Sequence, residues 1–303
     1  MLTVTLNAAL DVTYTVDAIR VAASHAVSTV TSQAGGKGVN VARVLCALGH
    51  EVTVTGLLAG PTGRQIGEDL ARTPLHDAFL TVSGDSRRTI TVVDGAGATA
   101  FNEPGDRLEI DDWPTLEARL GELFQGHDVV VASGSLPPAA PTNAYARITA
   151  AAHRAGCRVI VDAAGPALLA AASAGADLVK PNAEELAMTT GRSSVEEGAA
   201  LLLERGAGAV ITSLGADGVE YRSGQETLIA RPAERVAGNP TGAGDALVAA
   251  LALGLAADTP PMAAIAFAVA LSAAAVAHPL AGHVSVDLVE QFHDRIIVEE
   301  VPR

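Results

Sequence analysis

The sequence predicts an α/β protein with a doubly wound, mostly parallel sheet flanked by helices and a small β-sheet lid. From Asp111 onward, short apolar runs alternate with helical patterns at the spacing of strand–helix units. Before that, residues 12–16 and 26–33 alternate at period two with no helix between them, as strands of a separate sheet do. The 303 residues are 49% hydrophobic, which is enough to bury a large core.

The first third of the chain supplies the opening strands and the lid. Leu2 to Leu6 predicts the first strand, and a glycine turn at 34–36 leads into a helix that stops at Gly49. A strand over 51–57 and a helix over 63–72 follow. Short alternating runs, the last two joined by a hairpin signal at 94–97, are expected to extend the accessory sheet; they cover residues 78–82, 89–93 and 99–102.

The remaining chain predicts regular strand–helix alternation. Expected strands cover residues 128–132, 158–162, 177–179 and 209–212. Expected helices run from Pro114 through Phe124, over residues 142–155, from Asp245 to about 257, and over 262–277. The last apolar run is shorter than the roughly 20 residues of a membrane span, so we interpret it as a buried helix.

Charge and cysteine content narrow the class of protein. The formal net charge of −14 disfavours nucleic acid and anionic membranes as partners, because both bind through clustered Lys and Arg. Cys46 and Cys157 are too few and too far apart for a metal site or a disulfide framework. Residues 1–6 show no basic leader, so no secretory signal is expected and a cytoplasmic location follows by default.

The stretch from Asn239 to Asp245 (NPTGAGD) predicts phosphoryl-transfer chemistry. Small residues at 242–244 let successive backbone N–H groups face outward at a helix start, which makes an anion site. Asp245 behind them can accept a proton from a hydroxyl that attacks a phosphate. The structural alternative is a glycine-rich turn whose Asp caps a helix.

A second glycine turn, Gly35–Gly36–Lys37–Gly38, precedes Asn40 at the start of a helix. Glycine permits close backbone approach to a ligand, Lys37 places a cation there, and Asn40 can donate and accept hydrogen bonds toward sugar hydroxyls. The spacing is neither a Walker A loop nor a dinucleotide-binding turn, which disfavours a dinucleotide oxidoreductase.

Three further sets of polar residues are candidates, each with a structural alternative. Asp11 follows the first strand and is either a substrate contact or a turn residue. Arg87 and Arg88 offer a phosphate clamp or an ordinary solvated edge. Asn182 and Glu185 are spaced to orient water around Mg²⁺, or to form a helix capping box.

Six stretches, in order, resemble the motifs of the ribokinase-like (PfkB) carbohydrate kinase family, within it the branch that phosphorylates sugar phosphates. They are Thr5–Asp11, Gly35–Ala42, Phe101–Gly105, Ser133–Pro138, Val179–Glu185 and Asn239–Asp245. The resemblance covers essentially the whole chain. It implies an α/β core over 1–11, 34–82 and 106–303, a β-sheet lid over 12–33 and 83–105, and a homodimer contact through that lid.

The resemblance also implies a role for each matching residue. Asp245 is similar to the catalytic base, and Gly242, Ala243 and Gly244 are similar to the anion hole. The sugar phosphate would be held by Asp11, Gly36, Lys37, Asn40, Ser135 and Arg87, with Arg88 as the alternative arginine. The nucleotide would contact Lys180, Asn182, Glu185, Ser213, Gly215 and Gly244, with Asn182 and Glu185 tied to Mg²⁺ through water.

The implied reaction is ATP-dependent phosphorylation of a sugar phosphate, with ATP and Mg²⁺ required and fructose 1-phosphate as the favoured acceptor. Tagatose 6-phosphate, fructose 6-phosphate and a free sugar remain alternatives, as does a non-catalytic sugar-phosphate sensor. The chain departs from the family pattern at Ala8, where Pro is usual, which puts the turn beside Asp11 in question. Ala250 stands where a glycine is common, a minor packing change.

Overall fold

The computed structural model describes residues 1–107, 113–278 and 283–302. Its strands, in chain order, are β1 (Leu2–Thr5), β2 (Ala9–Thr15), β3 (Thr29–Gly35), β4 (Thr53–Ala59), β5 (His76–Asp77), β6 (Leu80–Val82), β7 (Arg87–Asp94), β8 (Gly97–Asn102), β9 (Val129–Ser133), β10 (Arg158–Asp162), β11 (Leu178–Val179), β12 (Ala209–Ser213), β13 (Val219–Ser223), β14 (Thr227–Pro232) and β15 (Ile296–Glu300).

The helices cover the intervening segments. They are α1 (Lys37–Ala47), α2 (Gly60–Leu70), α3 (Trp113–Phe124), α4 (Ala144–Arg154), α5 (Gly165–Ser173), α6 (Ala183–Thr190), α7 (Val195–Glu204), α8 (Ala243–Ala256), α9 (Pro261–Val276) and α10 (Val286–His293). In the part of the chain that the structure describes, no helix combines the length and apolarity that a membrane crossing requires.

Most of these strands form one large, mostly parallel sheet, which confirms the predicted fold class. Its order is β15-β14-β13-β12-β11-β10-β9-β1-β4-β5, with β6 also paired to β4. The contacts from β12 through β15 are antiparallel. The three strands β13, β14 and β15, at this end of the sheet, were not expected from the sequence. Segment 78–82 was expected in the accessory sheet. That expectation was wrong, because its strand β6 pairs in parallel with β4.

Helices cover both faces of the large sheet, and alternate residues of its strands feed two separate cores. On β9, Val129 and Val131 pack in the cluster with helices α1, α8 and α9, whereas Val130 and Ala132 pack with α3, α4 and α5. Strands buried on both faces are apolar at successive positions rather than at alternate ones. The run Val129–Ala132 therefore satisfies both layers at once.

Four strands form the lid, a separate sheet ordered β3-β2-β7-β8. Its register places Asp11 opposite Thr89, and Thr89 opposite Asn102, on one face. Tyr14 opposite Val30 and Ile90 opposite Phe101 lie on the other face. The lid therefore presents a polar face and an apolar face. The polar face carries Asp11, the candidate substrate contact.

Candidate active site

Helix α8 begins at the glycine turn for which the sequence predicts an anion site. Gly242 is the N-cap with φ of 86°, a left-handed conformation that glycine adopts without strain. Gly244 and Asp245 follow in the first turn, and Asp245 is 7% exposed. The first backbone N–H groups of a helix lack internal partners, so they are available to an anion.

Asp245 is a buried carboxyl group with an altered acidity. Burial, reinforced by the nearby Asp162 carboxylate, raises the pKa of Asp245 to about 7, although Lys37, Asn40 and Lys180 oppose the rise. Asn40 Nδ2 donates a hydrogen bond of 2.9 Å to Asp245 Oδ2. A carboxyl that titrates near neutral pH is suited to take up a proton during a reaction.

Asp162 lies behind the site and pairs with two lysines, which the sequence did not reveal. Its Oδ1 is 3.2 Å from Lys37 Nζ and 3.3 Å from Lys180 Nζ, and its Oδ2 accepts a 3.1 Å hydrogen bond from Ser133. Burial would raise the pKa of Asp162, but the two ammonium groups outweigh it and hold that pKa below its ordinary value. The sequence signal that could have identified Asp162 is its position at the carboxyl end of a buried strand, where such sheets bind their ligands.

Lys37 places a positive charge between the two halves of the site. Burial alone would lower the pKa of Lys37, yet the carboxylates of Asp162, Glu185 and Asp245 raise it above its ordinary value. Its Nζ lies 3.2 Å from Asp162 and 3.6 Å from Glu185. Lys37 is therefore a fixed cation in this setting.

Asn182 and Glu185 form the capping box that was the structural alternative for this motif. Asn182 Oδ1 accepts from Glu185 N at 2.8 Å, and Glu185 Oε2 accepts from Asn182 N at 2.8 Å. The other carboxylate oxygen, Oε1, faces Lys37. The cap thus fixes Glu185 in place while leaving Oε1 directed at the site.

One cavity, of about 790 Å³, lies between the lid and the core. Asp11 lies against Gly35, where a Cβ would fall 2.0 Å from Asp11 Oδ2, so only glycine fits. Burial raises the pKa of Asp11, opposed by Arg87 and by hydrogen bonds from Thr89 and Gly36. The polar residues that line this cavity include Asp11, Lys37, Asn40, Arg87, Thr89, Asn102, Glu103, Ser135, Thr142, Glu185, Thr241 and Asp245.

A second cavity, of about 570 Å³, extends from α8 toward the antiparallel strands. Lys180, whose side chain is 4% exposed, reaches it from the end of β11. Apolar side chains form much of its wall, among them Val219, Val236, Leu247, Val269 and Val276. Its polar residues include Lys37, Asp162, Lys180, Asn182, Glu185, Ser213, Ser272 and Asp245.

The two cavities share a wall made of Lys37, Glu185, Gly244 and Asp245. The cavity beneath the lid and the cavity beyond α8 therefore meet at the carboxyl group with the raised pKa. Such an arrangement holds two substrates on either side of one proton acceptor.

The structure brings the predicted site residues together with one exception. Each of them lines at least one cavity except Arg88, which is exposed and outside both linings, whereas Arg87 faces the lid cavity. Sequence reasoning missed Asp162, Thr89 and Ser272 among the lining residues, and it gave Thr241, inside the Asn239–Asp245 stretch, no role of its own. Thr89 and Ser272 sit inside regular elements, where no local pattern marks a threonine or serine as functional.

The fold and the shared wall fit a phosphotransferase that uses an alcohol group as acceptor. Comparison with known proteins refines this class: the chain belongs to the pfkB family of carbohydrate kinases, whose family model matches residues 4–287.

Relatives and solved structures agree with this assignment. The chain is 40% identical over 257 residues to a 1-phosphofructokinase from Rhodobacter capsulatus, covering 82% of this chain and 81% of the relative. It is 35% identical over 282 residues to a 1-phosphofructokinase from Vibrio cholerae serotype O1, covering 91% and 89%. The crystal structure of phosphofructokinase-2 from Escherichia coli with fructose-6-phosphate matches with a TM-score of 0.87 at 29% identity, covering 97% and 98%.

Proposed function

We propose that this carbohydrate kinase transfers the γ-phosphate of ATP to fructose 1-phosphate, giving fructose 1,6-bisphosphate and ADP. The observation that carries the proposal is the position of Asp245 in the wall between the two cavities. The similarity to two 1-phosphofructokinases over most of the chain supports the choice of acceptor.

In this reaction Asp245 is the general base. The sugar hydroxyl oxygen forms a bond to the γ-phosphorus, the bond from that phosphorus to the bridging oxygen breaks, and ADP leaves. The hydroxyl proton passes to the Asp245 carboxylate. Its raised pKa matches the proton affinity that a base needs near neutral pH.

Lys37 and the amides of Gly242, Ala243 and Gly244 stabilise the charge of the transferred group. The resemblance implied that Lys37 holds the phosphate already on the sugar. Its contacts with Asp162 and Glu185, and its place in the shared wall, favour the transferred phosphoryl group instead. The binding pocket for the sugar's own phosphate, which is an anion, then depends on other residues.

Arg87 and Ser135 bind the phosphate of the acceptor, and Asp11 and Asn40 bind its hydroxyl groups. Arg87 and Ser135 both line the lid cavity. Asn40 Oδ1 is buried and has no hydrogen-bond partner among the residues that the structure describes, although Asn40 Nδ2 is engaged with Asp245. A buried acceptor of this kind is satisfied by a ligand hydroxyl.

Mg²⁺ accompanies ATP in this proposal, and Glu185 Oε1 would hold it through water. The capping box engages Oε2, whereas Oε1 faces Lys37, and Glu185 lines both cavities. Residues 1–107, 113–278 and 283–302 contain no cluster of three or more His, Cys, Asp or Glu side chains arranged to bind a metal directly. The donor set thus fits an ion carried mainly by nucleotide phosphates, whose charge it neutralises.

The direct test is ADP release by the purified protein with MgATP and a panel of acceptors. Fructose 1-phosphate is expected to give the highest kcat/KM, above fructose 6-phosphate, tagatose 6-phosphate and free fructose. A preference for fructose 6-phosphate would instead match the ligand bound in the structurally similar phosphofructokinase-2. Binding without turnover of any acceptor would support the sensor alternative.

Three further properties belong to the proposal. The lid's apolar face exposes 61% of Val30 and 59% of Phe101, which supports a homodimer contact through the lid. Loss of the dimer in Phe101→Glu, measured by light scattering, tests this. The division into a core and a lid over 12–33 and 83–105, and a cytoplasmic location where ATP is available, complete the description.

A further inference from the structure

Asn7 lies just behind the sugar-phosphate end of the lid cavity. It follows β1, is 7% exposed, and lines neither cavity. Its Nδ2 donates to Pro104 O at 3.1 Å and to Ser135 Oγ at 3.0 Å, with Leu136 O at 3.5 Å. One amide therefore connects the lid's return segment to the loop that follows β9.

The bond between Asn7 and Ser135 sets the polarity of the Ser135 hydroxyl. Asn7 Nδ2 can only donate, so Ser135 Oγ is the acceptor and its own proton must point elsewhere. Because Ser135 lines the lid cavity, that proton is available to an anionic oxygen there.

The backbone of Asn7 fixes the second proposed phosphate ligand. Arg87 Nε donates to Asn7 O at 3.1 Å. Close approach of the lid to Asn7 also depends on Gly105, whose φ is +88° and where a Cβ would fall 2.8 Å from Asn7 Oδ1. Asn7 thus contacts both Ser135 and Arg87, at a point where the lid joins the core.

We infer that Asn7 is a positioning residue that makes the acceptor cavity selective for phosphorylated sugars. Its side chain orients the Ser135 hydroxyl as a donor and its carbonyl holds Arg87, so that both converge on the phosphate of the acceptor. This inference rests on the proposed function, and it adds a residue outside the cavity to the determinants of substrate choice.

Steady-state kinetics of Asn7→Ala and Asn7→Asp test the inference. We expect the KM for fructose 1-phosphate to rise about tenfold in Asn7→Ala, with the KM for ATP and kcat within about twofold of wild type. Asn7→Asp replaces the donor with an acceptor of the same size, so it captures the Ser135 proton, and we expect a larger rise. The preference for fructose 1-phosphate over free fructose falls by the same factors.

Two comparisons separate positioning from a structural role. Gln65→Ala removes an exposed amide on α2 and is expected to leave every constant unchanged. Ser135→Ala alters an exposed residue and is expected to raise the same KM, and adding Asn7→Ala to it should have little further effect, because both act through one hydroxyl.

Several results would overturn the inference. They are an unchanged KM for fructose 1-phosphate in Asn7→Ala or Ser135→Ala, equal rises in the KM for both substrates, or fully additive effects in the double variant. A wild-type protein that releases no ADP with any sugar phosphate would instead overturn the proposed function, and the inference with it.

Discussion

Asn40 Nδ2 lies 2.9 Å from Asp245 Oδ2, and this buried hydrogen bond joins α1 to α8. In the proposed reaction, the same carboxyl group accepts the proton of the acceptor's hydroxyl. The hydrogen bond from Asn40 lowers the pKa of Asp245 against the opposing effect of burial, which is the larger of the two. The two glycine-turn motifs of the sequence, far apart along the chain, therefore meet at a single buried carboxyl group.

The pH dependence of kcat/KM should report this base. Since Asp245 must be ionised to accept a proton and its pKa is about 7, kcat/KM is expected to rise through neutral pH and level off above it. At pH 6 it should be about one tenth of the plateau.

Asn40→Ala provides the comparison for the pH profile. The substrate phosphate also titrates, near pH 6, but its titration is the same for both proteins. Loss of the Asn40 hydrogen bond should move the enzyme's own limb to higher pH. A wild-type profile that is flat from pH 5.5 to 8 would contradict the assignment of Asp245 as base.

Ionised Asp245 should reduce stability. Its folded pKa of about 7 lies above the ordinary value of 3.8, so the folded state binds this proton more tightly than the unfolded state. The stability that the protonated Asp245 carboxyl group contributes to the folded state is therefore lost progressively as pH rises from about 4 to 7. We expect Asp245→Asn to melt at a higher temperature than wild type, by a margin that grows from pH 5 to pH 8. A margin that is constant or shrinks over this range would refute the expectation.

The paired arginines should differ sharply. Arg87 lines the lid cavity and is bonded to Asn7, whereas Arg88 is exposed. Arg87→Ala should raise the KM for fructose 1-phosphate by about a hundredfold, because a charge-assisted contact to phosphate is lost. Arg88→Ala serves as the matched control with unchanged kinetics. Equal effects of the two substitutions would show that the cavity lining does not determine phosphate binding.

The Lys37→Met variant distinguishes two roles for Lys37. In one it contacts the transferred phosphoryl group, and in the other it contacts the phosphate already on the sugar. With Lys37 in the wall between the cavities, we expect kcat to fall by at least about a hundredfold while the KM for fructose 1-phosphate stays within about threefold. A large rise in that KM with kcat preserved would return Lys37 to the sugar's own phosphate, as the resemblance implied.

Much of the fold was predictable because local patterns and tertiary structure agree. The βα alternation, the glycine stop at Gly49 and the hairpin at 94–97 all appear as expected. Strands β13, β14 and β15 escaped prediction because they are short and partly exposed and each is interrupted by at least one charged residue, so their apolar pattern is weak. Segment 78–82 was assigned to the wrong sheet, since alternation alone does not identify a strand's partner.

The site was predictable where a motif carries its own chemistry. Asp245 and the glycine turns are of this kind. Asp162 was not, because its role depends on Lys37 and Lys180, which only the tertiary structure brings within 3.2 and 3.3 Å of it. The contacts of Lys37 with Asp162 and Glu185 are the reason for proposing that Lys37 meets the transferred phosphoryl group rather than the sugar's own phosphate.

The most direct measurement is the turnover of Asp245→Asn with MgATP and saturating fructose 1-phosphate at pH 8. Asparagine keeps the size of the side chain but accepts no proton, so kcat should fall by about a thousandfold while the KM for ATP changes little. A variant that releases ADP as fast as wild type would show that Asp245 is not the base and that the reaction proposed for this cavity pair is wrong.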